Sequence, residues 1–280
     1  PIAMSAFSAD RLENSGAVDV AALSSLTPNL QVSTSGSYPQ IYIRGVGTNI
    51  VTGNADPTVT VQVDGVYMAR PYATYSEFLD IERIEVLRGP QGTLYGRNSA
   101  GGTINVITGE PTSSFSGKAL VSIGNFDAFK VSAAVSGPIT EQLSFSLSGI
   151  YARRDGRIEN VLPGTKDLDS QNTRAVRGKL RFEPAAGVSF VVAGDYSRDT
   201  GIPSPQGALR AARPGFVTPL NPVDYTDAYK VALDAPNSGD LESKGVSLTA
   251  RVDLSDYFTV QSITAYRKNS NIFPNDSDGT

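Results

Sequence analysis

Two rhythms of apolar and polar positions divide the chain. From about residue 115 the alternation has the period of two expected of strands with one apolar face. Phe129, Val131, Ala133 and Val135 alternate with Lys130, Ser132, Ala134 and Ser136. Leu143, Phe145 and Leu147 alternate with Ser144, Ser146 and Ser148, and Val176, Leu180 and Phe182 with Arg177, Lys179 and Arg181. Val188, Phe190, Val192 and Tyr196 share one face, as do Val246, Leu248, Ala250, Val252 and Leu254. With a leading strand over 118–124 and a last one over 258–267, the pattern predicts about seven strands of roughly ten residues, long enough to cross a bilayer at a tilt.

The connections sharpen this. Residues 137–142, 183–187 and 255–257 read as short turns, whereas 154–173 and 199–243 are long and rich in Pro, Asp, Asn and Gly. The 124–127 link is the one short member of the long set. Short and long connections that alternate are the hairpin asymmetry of outer-membrane barrels. Tyr151, Tyr196 and Tyr266 fall at the long-loop ends of their strands, and Phe182, Phe190 and Phe258 near short turns, where two membrane girdles would lie. A soluble β-sandwich also alternates. Strand length, loop asymmetry and the two aromatic bands favour the barrel.

Residues 1–110 follow a mixed pattern. A short helix is predicted over 10–15, with Ser8 as N-cap and Gly16 past its end, and a second over 18–26, stopped by Thr27-Pro28. Strands are predicted over 40–44, 58–63, 81–87 and 103–107, separated by long loops at 45–57 and 66–76. This is a small α/β domain whose loops are long for its core.

Composition and charge remove whole classes of chemistry. His, Cys and Trp are absent from the 280 residues, which excludes disulfides, His- or Cys-based zinc sites, His-dependent nucleophile systems and His- or Cys-ligated haem. The longest apolar runs are four residues, so no transmembrane helix is predicted. The opening Pro1-Ile2-Ala3-Met4 is no signal peptide, so the chain is either cytoplasmic or begins inside a longer one. The net charge of −4 sits entirely in residues 1–110, with six basic against ten acidic residues, while 111–280 balances. Neither part has the basic field that nucleic-acid binding needs.

Catalytic motifs fail one by one. Arg44-Gly45-Val46-Gly47 lacks the third glycine of a dinucleotide fingerprint, which falls on Ile50, and no phosphate-cradling loop exists. Asp276-Ser277-Asp278-Gly279 resembles the middle of a calcium loop, yet Pro274 takes the first ligand position. Glu82 and Glu85 are predicted to lie on opposite faces of a strand. No enzyme, metal site or cofactor is expected.

One ordered set of motifs remains. Ile43-Arg44-Gly45 comes first, then Val63-Asp64-Gly65-Val66, then Leu87-Arg88-Gly89-Pro90-Gln91-Gly92, Tyr95-Gly96, Gly101-Gly102 and Thr103-Ile104-Asn105-Val106-Ile107. In that order it closely resembles the plug domain of TonB-dependent outer-membrane receptors. The resemblance implies an α+β plug domain over 1–110, followed over 115–280 by antiparallel transmembrane β-barrel strands, about seven of an expected 22 or so. It implies an active transporter that imports a scarce nutrient complex, most often a ferric siderophore, with the plug gating the lumen. The implied partners are the TonB energy-coupling complex, an extracellular iron chelate and outer-membrane lipid. The runner-up is a non-transporting surface module with an α/β domain and a β-sandwich.

The family also suggests residue roles. Arg44 and Arg88 would lock plug to barrel through wall glutamates beyond residue 280. Gly45, Asp64, Gly65, Gly89, Pro90, Tyr95, Gly96, Gly101 and Gly102 would shape the plug's turns, where backbone freedom and fixed angles are useful. The loop with Tyr67, Arg70, Tyr72 and Tyr75 would face the outer vestibule and touch substrate. A signal peptide and the TonB box, which precede the plug in the family, would lie before Pro1.

Overall fold

The computed structural model describes residues 3–15, 20–35, 38–48, 56–69, 80–202, 229–231 and 238–272. The first domain contains strands β1 (Ala3–Ser8), β2 (Leu30–Ser35), β3 (Tyr38–Ile43), β4 (Val46–Gly47), β5 (Val59–Val63), β6 (Val66–Tyr67), β7 (Ile81–Arg88) and β8 (Gly102–Thr108). Helix α1 (Ala9–Ser15) follows β1, and one-turn α2 (Gly92–Tyr95) joins β7 to β8. Five strands make a mixed sheet in the order β1-β7-β8-β5-β6, with β5 parallel to β8, and β2-β3-β4 form a small second sheet. One core holds them together. Phe7, Leu23, Ile43, Ile84, Val86 and Ile104 are all but sealed from solvent within it.

Three local expectations change. The helix predicted over 18–26 is a single 3₁₀ turn, Ala22–Ser25, among the described residues. Ser24 and Ser25 donate their hydroxyls to the Ala21 and Ala22 carbonyls at 2.7 and 2.8 Å, a side-chain alternative that works against helix propagation. Strands β1 and β2, and the two-residue β4 and β6 at the start of predicted loops, were not predicted. The sequence Ala-Met-Ser-Ala-Phe-Ser buries only Phe7, and its strand form comes from the ladder with β7, Phe7 opposite Ile84. Glu82 and Glu85 do not part cleanly. The ladder is irregular between Ile81 and Arg83, and both carboxylates reach the Arg83 guanidinium, at 2.6 and 2.9 Å.

The second region is one continuous wall. Strands β9 (Ser116–Gly124), β10 (Ala128–Pro138) and β11 (Leu143–Arg154) lead into β13 (Gln171–Ala185), β14 (Val188–Asp199), β16 (Asp240–Ser255) and β17 (Phe258–Ile272). They form a seven-stranded antiparallel sheet, each strand beside its chain neighbour in the sheet. The two-residue strands β12 (Glu159–Asn160) and β15 (Lys230–Val231) pair in parallel outside it, tying two long connections together. Leu168, Ile202 and Val231 pack there around Ile158. A single-layered sheet is not a sandwich, and the alternative architecture fails on this point.

Register sorts the wall into two faces. Val131 opposes Tyr151, Leu180 opposes Val192, Val192 opposes Leu248 and Val246 opposes Tyr266, so the apolar positions form one surface. That surface is exposed: Leu147, Val176, Leu180, Val192, Leu248 and Tyr266 all face outward. The strands run longer than the ten residues predicted, up to sixteen in β16. The extension has a reason. Beyond Tyr196 and Tyr266 the outer face turns charged, with Lys244 opposite Tyr196 and Arg198 paired to Asp240 at 2.7 Å. Charged cross-strand pairs suit water rather than hydrocarbon, so the ladders continue past the tyrosine band.

Candidate functional site between the first domain and the wall

The contact begins at a tight turn. Val63 and Val66 pair across a two-residue loop in which Asp64 and Gly65 have φ of 49° and 78°. Such a hairpin needs left-handed backbone at both positions, which Asp-Gly supplies cheaply. The Asp64 carboxylate is held from below. Thr108 donates its backbone N–H to Oδ1 at 2.8 Å and its hydroxyl to Oδ2 at 2.7 Å. Asp64 in turn presents Oδ2 to the wall, 3.1 Å from the Lys179 ammonium of β13.

Lys179 is the centre of the site. It is 3% exposed, and its ammonium also lies 2.9 Å from Glu110 and donates to the Thr108 carbonyl at 3.3 Å. The ammonium thus makes two hydrogen bonds, to Glu110 and Thr108, and a second ion pair with Asp64, so the buried charge is paired twice over. Two residues along the same face, Arg181 reaches the other Glu110 oxygen at 2.7 Å. Two carboxylates of the first domain therefore answer two cations of the wall. On a second strand, Ile263 of β17 comes so close to the turn that a Cβ on Gly65 would sit 2.7 Å from its Cδ1.

The link between the two regions is pinned beside this cluster. Thr112 donates its N–H and its hydroxyl to Ser136 Oγ, both at 2.9 Å, and Ser136 donates on to the Phe145 carbonyl. Phe115 meets Phe145 edge-on at 6.5 Å and lies over Gly137, where a Cβ would push its ring aside. At the far edge, Lys118 and Glu13 make an exposed pair at 3.2 Å.

Arg44 and Arg88 are brought together elsewhere. Arg44-Gly45 forms a second two-residue hairpin, between β3 and β4, with φ of 54° and 78°. Arginine is a costly choice for left-handed backbone, where Asn or Asp would be cheaper. Its guanidinium reaches toward Gly89, and Arg88 is the next residue. Arg88 donates to the Pro28 carbonyl at a long 3.5 Å, and its Nε is buried without a hydrogen bond. Among the described residues no carboxylate pairs with either arginine.

The remaining motif residues build the turns around β7 and β8. Gly89 donates its N–H to the Gly101 carbonyl, Pro90 follows, and α2 leads through Tyr95 to Gly96, whose N–H returns to Gly92. Burial, then the Glu85 carboxylate, pushes the Tyr95 phenol above its ordinary pKa. Gly102 has φ of 149° against the Leu87 carbonyl, so its position tolerates no side chain. Tyr67 accepts a hydrogen bond at its hydroxyl from Asn98 Nδ2 at 2.9 Å, which ties β6 to the turn before β8. Arg70, Tyr72 and Tyr75 lie outside the described residues. Among those described, no group of three or more acidic side chains could hold a metal ion.

Sequence reading missed the residues that carry the contact. Lys179 and Arg181 read there only as the polar half of a strand, and Glu110 and Thr108 as the end of the first domain. The available signal was cations at every inward position from 177 to 181 on a strand whose other face is apolar.

Residues 1–103 match a family model described as the TonB-dependent receptor plug domain. The first domain is a TonB-dependent receptor plug. Among curated proteins, the pesticin receptor of Yersinia pestis is 32% identical over 63% of this chain and 26% of its own length. Among solved structures, the ferric yersiniabactin uptake receptor of the same organism matches with a TM-score of 0.83 at 24% identity, covering 99% of this chain and 42% of that one. The ferripyoverdine receptor of Pseudomonas aeruginosa, solved with ferripyoverdine bound, gives 0.77 at 21% identity, over 97% and 34%. The chain thus spans about a quarter of the curated relative's length. Its fold is a receptor plug followed by outer-membrane barrel strands, with the Asp64-Gly65 turn of the plug against the inner face of β13 and β17.

Gly65 offers a direct check on that seat. Gly65→Ala is expected to cost about 1–2 kcal/mol from left-handed backbone alone, plus the clash with Ile263. In the full-length protein, Gly65→Ala with Ile263→Ala should recover part of the lost thermal midpoint. Equal midpoints for the single and double variants would place Ile263 away from the turn.

Proposed function

We propose that the protein is a TonB-dependent active transporter that brings a ferric siderophore across the outer membrane. The observation that carries this reading is the buried Lys179 cluster, which seats a plug on the polar face of a wall whose other face is apolar. Relatives named as receptors for ferric enterobactin and ferripyoverdine support iron chelates as the substrate class. The chelate binds at the outer side while the plug closes the lumen. The inner-membrane coupling complex then takes hold of a segment before the plug by strand addition and pulls. β1 is the edge strand of the plug sheet and lies nearest that segment in sequence, so it bears the load first. No bond of the substrate is made or broken.

In this reading the chain divides into a plug over 1–110 and barrel strands over 115–280. Arg44 and Arg88 serve as a second attachment, to carboxylates on further wall strands. Tyr67, Arg70, Tyr72 and Tyr75 belong to the plug apex that meets the chelate, with the Tyr67 ring rather than its engaged hydroxyl as the contact. Titration calorimetry of the purified full-length protein against ferric catecholates, hydroxamates and phenolates, cobalamin and oligosaccharides tests the substrate class. Saturable binding of an iron chelate, recovered chemically unchanged, is expected. Binding of cobalamin or a glycan alone would overturn the assignment.

A further inference from the structure

The inner face of β13 carries Arg177, Lys179 and Arg181 in a column about 13 Å long at roughly 3.3 Å per residue. The directly opposed wall positions give the lower two cations no counter-charge, and the wall carboxylates that share a cavity with Arg181, Glu183 and Asp253, make no ion pair with it. Ser146 and Ala193 flank Lys179, and Ser144 and Val191 flank Arg181. Asp195, opposite Arg177, has both carboxylate oxygens engaged by Arg267 at 2.8 and 2.6 Å. Gly245 keeps that reach open, since a Cβ there would sit 2.6 Å from the Arg267 guanidinium. The carboxylates that neutralise Lys179 and Arg181 among the described residues come from the plug: Asp64 and Glu110. Arg181 also keeps one buried N–H, Nε, without a hydrogen bond.

A wall cation neutralised only by a movable domain has a consequence. When the plug leaves with Asp64 and Glu110, Lys179 faces the lumen without a carboxylate and Arg181 loses its ion pair, a cost that an incoming anion removes. An anionic ligand therefore favours the displaced plug, and a neutral one of the same size does not. We infer that the β13 column is an anion track for the substrate, occupied at rest by the plug's own carboxylates. The ligand class is a ferric chelate with acidic oxygens at its surface, such as catecholate, phenolate or carboxylate. This inference rests on the importer reading above.

The test separates a track from a mere anchor. The quadruple variant Lys179→Gln, Arg181→Gln, Asp64→Asn, Glu110→Gln replaces the whole ion cluster by neutral hydrogen-bonding groups. It is made in the full-length receptor, as the sole receptor of energised cells. The probes are radio-iron complexes of a tricatecholate, citrate and a phenolate chelator, all anionic, and a neutral trihydroxamate. Exclusion of a large antibiotic reports that the plug is seated, and cell-surface binding is measured without energy. The track predicts intact exclusion and binding, with uptake of the anionic complex down by about tenfold or more, the effect of one lost charge-assisted contact. A seated quadruple variant that imports the anionic complex at the natural rate would overturn the inference. So would a natural receptor that imports the neutral complex alone. A natural receptor that imports none of the four would fail the importer reading itself, and the track with it.

Discussion

Lys179→Met should unseat the plug. The substitution removes the buried ammonium that meets Asp64 at 3.1 Å and Glu110 at 2.9 Å, and it supplies no donor in return. Breaking one side of a buried ion pair strands the other, at a cost of about 3–5 kcal/mol. Glu110 keeps Arg181 and Asp64 keeps Thr108, which places the expected loss toward the lower end of that range. Two readouts should move together. Cells with the full-length variant should admit a large antibiotic, and amide exchange around Asp64 and Thr108 should quicken relative to the β7–β8 core. Asp64→Asn, which leaves Lys179 its Glu110 partner, should show a smaller effect of the same sign. Unchanged antibiotic exclusion and exchange in Lys179→Met would mean that other contacts seat the plug.

The second large effect tests which face of the wall meets lipid. Leu180 and Lys179 are adjacent in sequence, yet register sends Leu180 to the exposed apolar surface beside Val192 and Lys179 inward beneath the plug. Leu180→Arg and Leu248→Arg should each destabilise the membrane-inserted receptor by about 2–4 kcal/mol, the depth-dependent cost of a cation near mid-bilayer. Arg198, already charged on the same face but beyond the Tyr196 band, gives the contrast. Arg198→Leu should change membrane stability by well under that amount, because its pair with Asp240 is largely exposed. The measurement is denaturant-dependent folding of the full-length protein into bilayers. Equal tolerance of arginine at 180 and at 198 would reverse the assignment of the faces.

How much of this was legible in the sequence differs between the two regions. The wall was legible because one rule, period two with an apolar face, holds along most of its strands and hairpin neighbours pair in chain order; β17 departs from it, with Ser262 and Thr264 outward and Ile263 inward. What pattern alone missed was strand length. The rule stops where the outward face becomes charged at Glu242, Lys244 and Arg198, yet the hydrogen-bonded ladder continues. In the plug, β7 and β8 showed themselves through Ile84, Val86, Ile104 and Val106. β1 buries a single side chain, and its partner is about eighty residues away, so no local signal marks it. The Ser24 and Ser25 hydroxyls shortened a helix that its apolar spacing alone predicted.

The site shows the same limit. The turn motifs were readable because Asp64-Gly65 and Arg44-Gly45 demand left-handed backbone, which is a local requirement. Lys179 was not readable as their partner, because that pairing joins positions more than a hundred residues apart through the whole plug. Arg44 stands between the two cases. Its backbone position is locally unfavourable for arginine, and its guanidinium approaches Gly89.

The central claim is that this plug and wall belong to an energy-coupled importer of ferric chelates. The direct measurement is radio-iron uptake by cells with the full-length protein as sole receptor, compared with and without the TonB coupling complex. Chelate binding at the cell surface should be the same in both, while accumulation should require the complex and stop when the inner-membrane proton gradient is collapsed. Accumulation that persists without the complex, or surface binding that never leads to uptake with it present, would contradict the account.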